Sequence, residues 1–216
     1  LQALQAEKEG KMARAEAEAK ERAKLSELKG QIEALVEANP SLRPFKNQLL
    51  LDITSEGLRI QIVDEKNRPM FDSASAELKP YTREILHEIG RVLNQVENRL
   101  SLSGHTDATQ YAGGERGFSN WELSASRANA SRRELIAGGM DEKKVVRVVG
   151  LASSILFDKD DPTNPINRRI SIIVMNKRTE EALMRDGNSL DAEADKPLDP
   201  GDIPPQLPGG RAGNAE

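Results

Sequence analysis

Cysteine is absent from the 216 residues, which excludes a disulfide framework and any thiolate metal site. Histidine occurs twice, as His87 and His105, and neither an H-E-x-x-H nor a G-x-S-x-G run is present. The signatures of zinc hydrolysis and of a serine nucleophile are therefore missing. We expect no enzyme, no metal and no cofactor. Aromatic residues are scarce, with two Tyr and one Trp, and 31 basic residues face 35 acidic ones for a net charge of -4. A nucleic-acid binder needs a basic face and stacking surfaces, so that class is not expected. No apolar run approaches the ~18 residues that span a bilayer, and no stretch at the start reads as a signal peptide. The chain opens on Leu1 rather than Met, so we expect a processed chain or a piece of a longer one, with any membrane anchor upstream.

What is present falls into three parts. Residues 1–44 form a charged segment dominated by Ala, Glu, Lys, Arg and Leu, all strong helix formers, and a helix is predicted to end at Asn39-Pro40. Its first two-thirds have almost no apolar face. Its last third carries Leu25, Leu28, Ile32 and Leu35, a narrow seam. That seam either docks on the following domain or starts a short coiled coil, although it covers fewer than two heptads.

Residues 45–184 carry the globular domain. NQLLLDIT and LRIQIVD flank a SEG turn and read as a hairpin with alternation at Leu58, Ile60 and Ile62. A helical stripe follows Pro69 (Leu78, Tyr81, Ile85, Ile89, Val92, Val96), with Pro80 in its first turn. RLSLSG, KVVRVVGLA and RRISIIVMN are further strands. Between the first two of these, Ser119 and Glu122 stand in capping-box spacing, and the helix they open ends at Gly138-Gly139. A short helix is expected over Thr179–Met184. Strands and helices alternate after the hairpin, which predicts an α/β (α+β) sandwich with helices packed on a sheet. Residues 185–216 are acidic and rich in Pro and Gly, and are expected to be disordered or draped over the surface.

The chemistry centres on GHTD and the helix after it. Asp107 ends a strand. The helix has two possible inward stripes, one through Leu123, Arg127, Ala128, Ser131 and Leu135, the other through Trp121, Ala125, Ala128, Arg132 and Leu135. Either one brings an arginine toward the core, where an unpaired charge is costly. Asp107 and Arg127 could form a direct salt bridge, or the two poles of a split site in which Asp107 takes an ammonium and Arg127 a carboxylate. His87 is expected on the solvent side of its helix.

GHTD, then N-x-x-L-S-x-x-R-A (Asn120, Leu123, Ser124, Arg127, Ala128), then N-R-R (Asn167, Arg168, Arg169) resembles the OmpA-like peptidoglycan-binding domain. The pattern covers Phe45 to about Lys177. The stretches LLLDITSEGLRIQIVDEKNRPMF and GFSNWELSASRANASRREL look most like the flagellar stator B-subunit family. The resemblance implies an OmpA-like β/α sandwich with a mixed sheet, in the periplasm. It implies that Asp107 binds the ammonium and Arg127 the carboxylate of diaminopimelate in the peptidoglycan stem peptide, with Thr106, Asn120, Leu123 and Arg169 lining or supporting the pocket. It also implies a homodimer, a stator A subunit reached through a membrane segment outside this chain, and contact with the flagellar P ring. A wall tether of the outer-membrane OmpA or Pal type, and a structural dimerisation domain without ligand, are the alternatives.

Overall fold

The computed structural model describes residues 2–111 and 117–194. A long helix, α1 (Gln2–Ala38), leads through a 3-10 turn into the hairpin β1 (Leu49–Thr54) and β2 (Gly57–Val63). Then come α2 (Pro80–Leu93), β3 (Leu100–His105), α3 (Asn120–Ala137), β4 (Val145–Gly150), β5 (Arg169–Met175) and α4 (Lys177–Ala194). The five strands form one mixed sheet in the order β1-β2-β5-β3-β4, antiparallel except for the β3–β4 pair. β5, late in sequence, thus lies at the centre between β2 and β3.

Register fixes which side of the sheet is apolar. Leu58 pairs with Val174, Ile60 with Ile172 and Ile62 with Ile170, while Leu102 pairs with Ile172 on the other flank. These side chains share one face and are buried with Ile85, Leu86, Ile89 and Leu93 of α2. The intervening positions carry Arg59, Gln61, Arg169, Ser171, Ser101, Ser103 and His105 beside Val63, Ile173 and Met175, so the opposite face is mostly polar. α3 approaches the sheet closely. A Cβ at Gly104 would lie 2.0 Å from the Ser124 carbonyl oxygen, and one at Gly150 would lie 2.6 Å from the Ala125 nitrogen. Glycine at these two strand positions lets the helix backbone sit on β3 and β4.

The α1 seam docks on the domain. Leu25, Leu28, Ile32 and Val36 are 1–4% exposed in the single chain and join the same core cluster as the sheet. Val36 completes the seam, and Leu35 packs half-buried beside it. Residues 2–20 are exposed all round, and the Glu7–Lys11 and Glu16–Lys20 pairs at i,i+4 spacing lie along them. Residues 1–180 form one compact unit, and the second begins at Glu181.

One expectation is corrected. The short helix over Thr179–Met184 is in fact α4, which starts at Lys177 and continues to Ala194, into the segment expected to be disordered. Leu190, Ala192, Glu193 and Ala194 are compatible with helix, and the first proline after Met184 is Pro197. The rest of that segment, 195–216, lies outside the described residues. His87 is half-exposed at the surface of α2, with its side chain 39% accessible. Its Nε2 lies 2.5 Å from Glu134 Oε2, linking α2 to α3.

The docking of α1 is testable by denaturation. Truncating a buried isoleucine costs roughly 2–5 kcal/mol, so Ile32→Ala should lower the global unfolding free energy by about that much. Met12→Ala, at a position 68% exposed, should leave it unchanged within ~0.5 kcal/mol. Equal stability of the Ile32 variant and the parent would show that the seam is not part of the core.

Candidate functional site

Asp107 lies just past the end of β3 and is 5% exposed. Its Oδ1 accepts from the Thr109 amide at 2.9 Å, closing a tight turn. The Asn120 side-chain amide donates to the Thr109 carbonyl at 2.9 Å, so the first residue of α3 braces that turn. The Ser119–Glu122 capping box is formed: the Ser119 amide donates to Glu122 Oε2 at 2.7 Å. Loop and helix start are therefore fixed together. On the other side, the Thr106 amide donates to the Ala152 carbonyl at 2.8 Å, and the Ala108 amide to that of Pro162 at 2.9 Å. The Thr106 hydroxyl is buried with no hydrogen-bond partner among the described residues.

Asp107 Oδ2 accepts from Arg168 Nη1 at 2.6 Å. Arg168 also donates from Nε to Asp64 Oδ2 at 2.7 Å, and Asp64 Oδ1 accepts the Met70 amide at 2.7 Å. Burial acts to lower the Arg168 pKa, but the two carboxylates outweigh it and raise it. Burial raises the Asp64 pKa against the opposing pull of Arg168 and the Met70 amide.

Arg127 faces inward, on the stripe with Leu123, Ala128, Ser131 and Leu135, while Trp121 is 54% exposed. Arg127 and Asp107 form no salt bridge with each other. Arg127 Nε donates to the Ser75 carbonyl at 2.8 Å, Nη2 to the Asp72 carbonyl at 3.4 Å, and its guanidinium carbon sits 4.7 Å from the Phe71 ring centroid. Burial lowers its pKa, while Asp64 and Asp107 act to raise it. Its Nη1 makes no hydrogen bond among the described residues. The cluster therefore holds two carboxylates and two guanidiniums: Asp64, Arg168 and Asp107 form a net negative pole, and Arg127 forms a positive one.

Of the residues expected here, Thr106, Asp107, Asn120, Leu123 and Arg127 come together around the β3 end and the start of α3. Arg169 does not join them. Alternation along β5 turns it to the polar face, where it donates to Gln61 Oε1 at 3.1 Å, to the Asn167 carbonyl at 3.3 Å and to the Ile155 carbonyl at 3.0 Å. Arg168, one position earlier, shares the side of Ile170 and reaches Asp107. Asp64 likewise follows the Leu58, Ile60, Ile62 alternation. Both were readable from strand parity. The segment Phe71–Ser75 carried no comparable signal.

Residues 70–169 match the family described as OmpA family. This stretch of the chain is thus similar to OmpA-family domains. Over 187 residues it is 48% identical to Motility protein B of Escherichia coli (strain K12), which covers 87% of this chain and 61% of that protein. The chain thus spans less than two thirds of the length of this relative. A protein described as MotB-like from Desulfovibrio vulgaris superimposes with a TM-score of 0.61 at 16% identity, over 74% of this chain and 98% of that one. The periplasmic domain of Helicobacter pylori MotB gives 0.52 at 19% identity, over 68% and 93%. These two structural likenesses establish fold. The OmpA-family match begins at Met70 and ends at Arg169, so it includes Asp107, Arg127 and Arg168 and leaves out Asp64.

On the mostly polar face of the sheet, His105 is 6% exposed. Its Nε2 is 3.1 Å from Ser103 Oγ, and its Nδ1 has no hydrogen-bond partner among the described residues. Burial, with Arg169 adding to it, lowers its pKa from 6.5 to about 4. The unfolded chain therefore takes up a proton near pH 6.5 while the folded one does not until about pH 4. Stability should be lost as pH falls between those values, by up to about 3 kcal/mol. His105→Gln should flatten this part of the profile. Parallel urea midpoints for parent and variant from pH 7 to pH 4 would contradict the assignment.

Proposed function

We propose that this chain is the non-catalytic, wall-binding part of a flagellar stator B subunit, and that it holds diaminopimelate in the stem peptide of peptidoglycan. Asp107 takes the ligand ammonium and Arg127 takes the carboxylate, through the Nη1 edge that its other bonds leave open. The observation that carries this reading is that the two opposite charges are each held by partners other than one another. A carboxylate with one bond on each oxygen retains acceptor capacity for an ammonium. A planar guanidinium with two donors already anchored presents its remaining edge in a fixed direction. The amino-acid end of diaminopimelate carries one charge of each sign on a single carbon, and the site supplies one opposite charge for each.

The likeness to Motility protein B supports the stator assignment over a generic wall tether. Its 187 aligned residues cannot fit within 70–169, so it extends beyond the OmpA-family match. On this reading the domain works in the periplasm as half of a homodimer. It is joined to a stator A subunit through a membrane segment outside this chain, and it stands near the flagellar P ring.

Sedimentation with purified sacculi tests the proposal. Removing one member of a buried, hydrogen-bonded charge pair typically costs about 2–5 kcal/mol, or roughly 30- to several-thousand-fold in affinity. Asp107→Asn and Arg127→Ala should each lose binding to that extent at temperatures where circular dichroism shows both variants folded. Folded variants that pellet with sacculi as the parent does would sink the proposal.

A further inference from the structure

Resting on that reading, we propose that Asp64 is a positioning residue that fixes the separation of the two poles and so selects ligands carrying both charges on one carbon. Asp64 lies at the end of β2, on the core-facing side, and is 5% exposed. Its two carboxylate oxygens serve different halves of the site. Oδ2 holds Arg168 Nε at 2.7 Å, and Arg168 Nη1 holds Asp107 at 2.6 Å. Oδ1 holds the Met70 amide at 2.7 Å, and Met70 begins the segment whose Asp72 and Ser75 carbonyls hold Arg127.

That second arm is stiff enough to carry position. The Met70 carbonyl accepts from the Lys79 amide at 2.8 Å and from the Thr82 hydroxyl at 3.1 Å. The Asp72 amide donates to the Glu77 carbonyl at 2.9 Å, the Ser75 amide to that of Asp72 at 3.1 Å, and Phe71 bridges to Leu78. Residues 70–79 thus form a closed loop pinned at its base to Asp64. The first arm is pinned twice, because the Asp64 amide also donates to the Arg168 carbonyl at 3.0 Å. One buried carboxylate is therefore the shared origin from which both ligand-facing charges are placed. A site that recognises a zwitterionic carbon by charge spacing needs such a common reference, since misplacement of a preset group by ~1 Å can cost up to 10²-fold.

The test compares two tripeptides, L-Ala-D-Glu-meso-diaminopimelate and L-Ala-D-Glu-L-Lys, of which the second has the side-chain ammonium without the adjoining carboxylate. Calorimetry on the intact chain should show the parent preferring the first. Asp64→Asn keeps an oxygen for the Met70 amide and removes the charge facing Arg168. It should weaken binding of the first peptide by roughly tenfold or more while changing the second by less than about twofold, so the preference collapses. Arg168→Lys should do the same, which keeps the test open if the Asp64 variant fails to fold. In the free protein, the Arg127 Nε–H should exchange faster in Asp64→Asn, although no hydrogen bond joins Arg127 to Asp64. A merely structural Asp64 would lower the melting temperature and leave the ratio of affinities intact, which overturns the inference alone. An unchanged Arg127 Nε–H exchange rate also overturns it. A parent chain that binds neither peptide overturns both this inference and the function on which it rests.

Discussion

Alternation along two adjacent inner strands, β2 and β5, decides where each charge at this end of the sheet can go. Ile60, Ile62, Ile170 and Ile172 must face the helices to form the core. With that settled, Asp64 and Arg168 inherit the same side, and Gln61, Arg169 and Ser171 inherit the other. A slip of one residue would exchange the two sets. It would put Arg169 beside Asp107 and leave Ile170 on the polar face, and the apolar cost rules that out. The charged site is thus a by-product of how the hydrophobic core sets register, which is why adjacent arginines in N-R-R serve two unrelated clusters.

The same sheet explains how a guanidinium can sit 7% exposed in α3. Gly104 and Gly150 bring the helix backbone down onto β3 and β4, which buries whatever side chain points along that face. Arg127 is not stabilised there by a direct carboxylate. Two backbone carbonyls and the Phe71 ring share its solvation. Dipoles and a ring face stabilise a cation while leaving its formal charge uncompensated nearby. A direct bridge to Asp107 would have satisfied both groups and closed the site.

Much of this was legible before any coordinates. The hairpin, the capping box at Ser119–Glu122, the end of α3 before Gly139 and the pairing of Asp107 with the start of that helix follow from period, turn residues and caps. Periodicity left two stripes open on α3. The structure chose the one through Arg127 because the turn at Ala152, bonded to Ser124 Oγ, lies beneath Ser124 and leaves Trp121 at the margin. The extent of α4 is hidden in the sequence because the acidic, Pro- and Gly-rich composition of 185–216 as a whole masks the helix formers between Arg185 and Ala194. The His87–Glu134 contact joins two helices 47 positions apart, beyond the reach of any local pattern. The loop 70–79 was unreadable for a related reason: its role comes from carbonyl groups, which every residue has.

Two like-charged carboxylates near one another would ordinarily repel, and here the arginine between them turns that liability into rigidity. Arg168 spends one nitrogen on each acid, so neither can move toward it without straining the other bond. The cost is the burial of two carboxylates and the partial burial of the arginine between them, and it is tolerable because each oxygen and each donating nitrogen has a bond of good length. The result is a carboxylate at Asp107 whose direction is fixed by a bond on each oxygen. On the other wall, Arg127 is settled by bonds that involve no carboxylate. Keeping the two groups apart through separate supports costs stability that a direct ion pair would have supplied, and on the proposed reading what it leaves is a pair of opposite charges suited to a ligand that bears both signs.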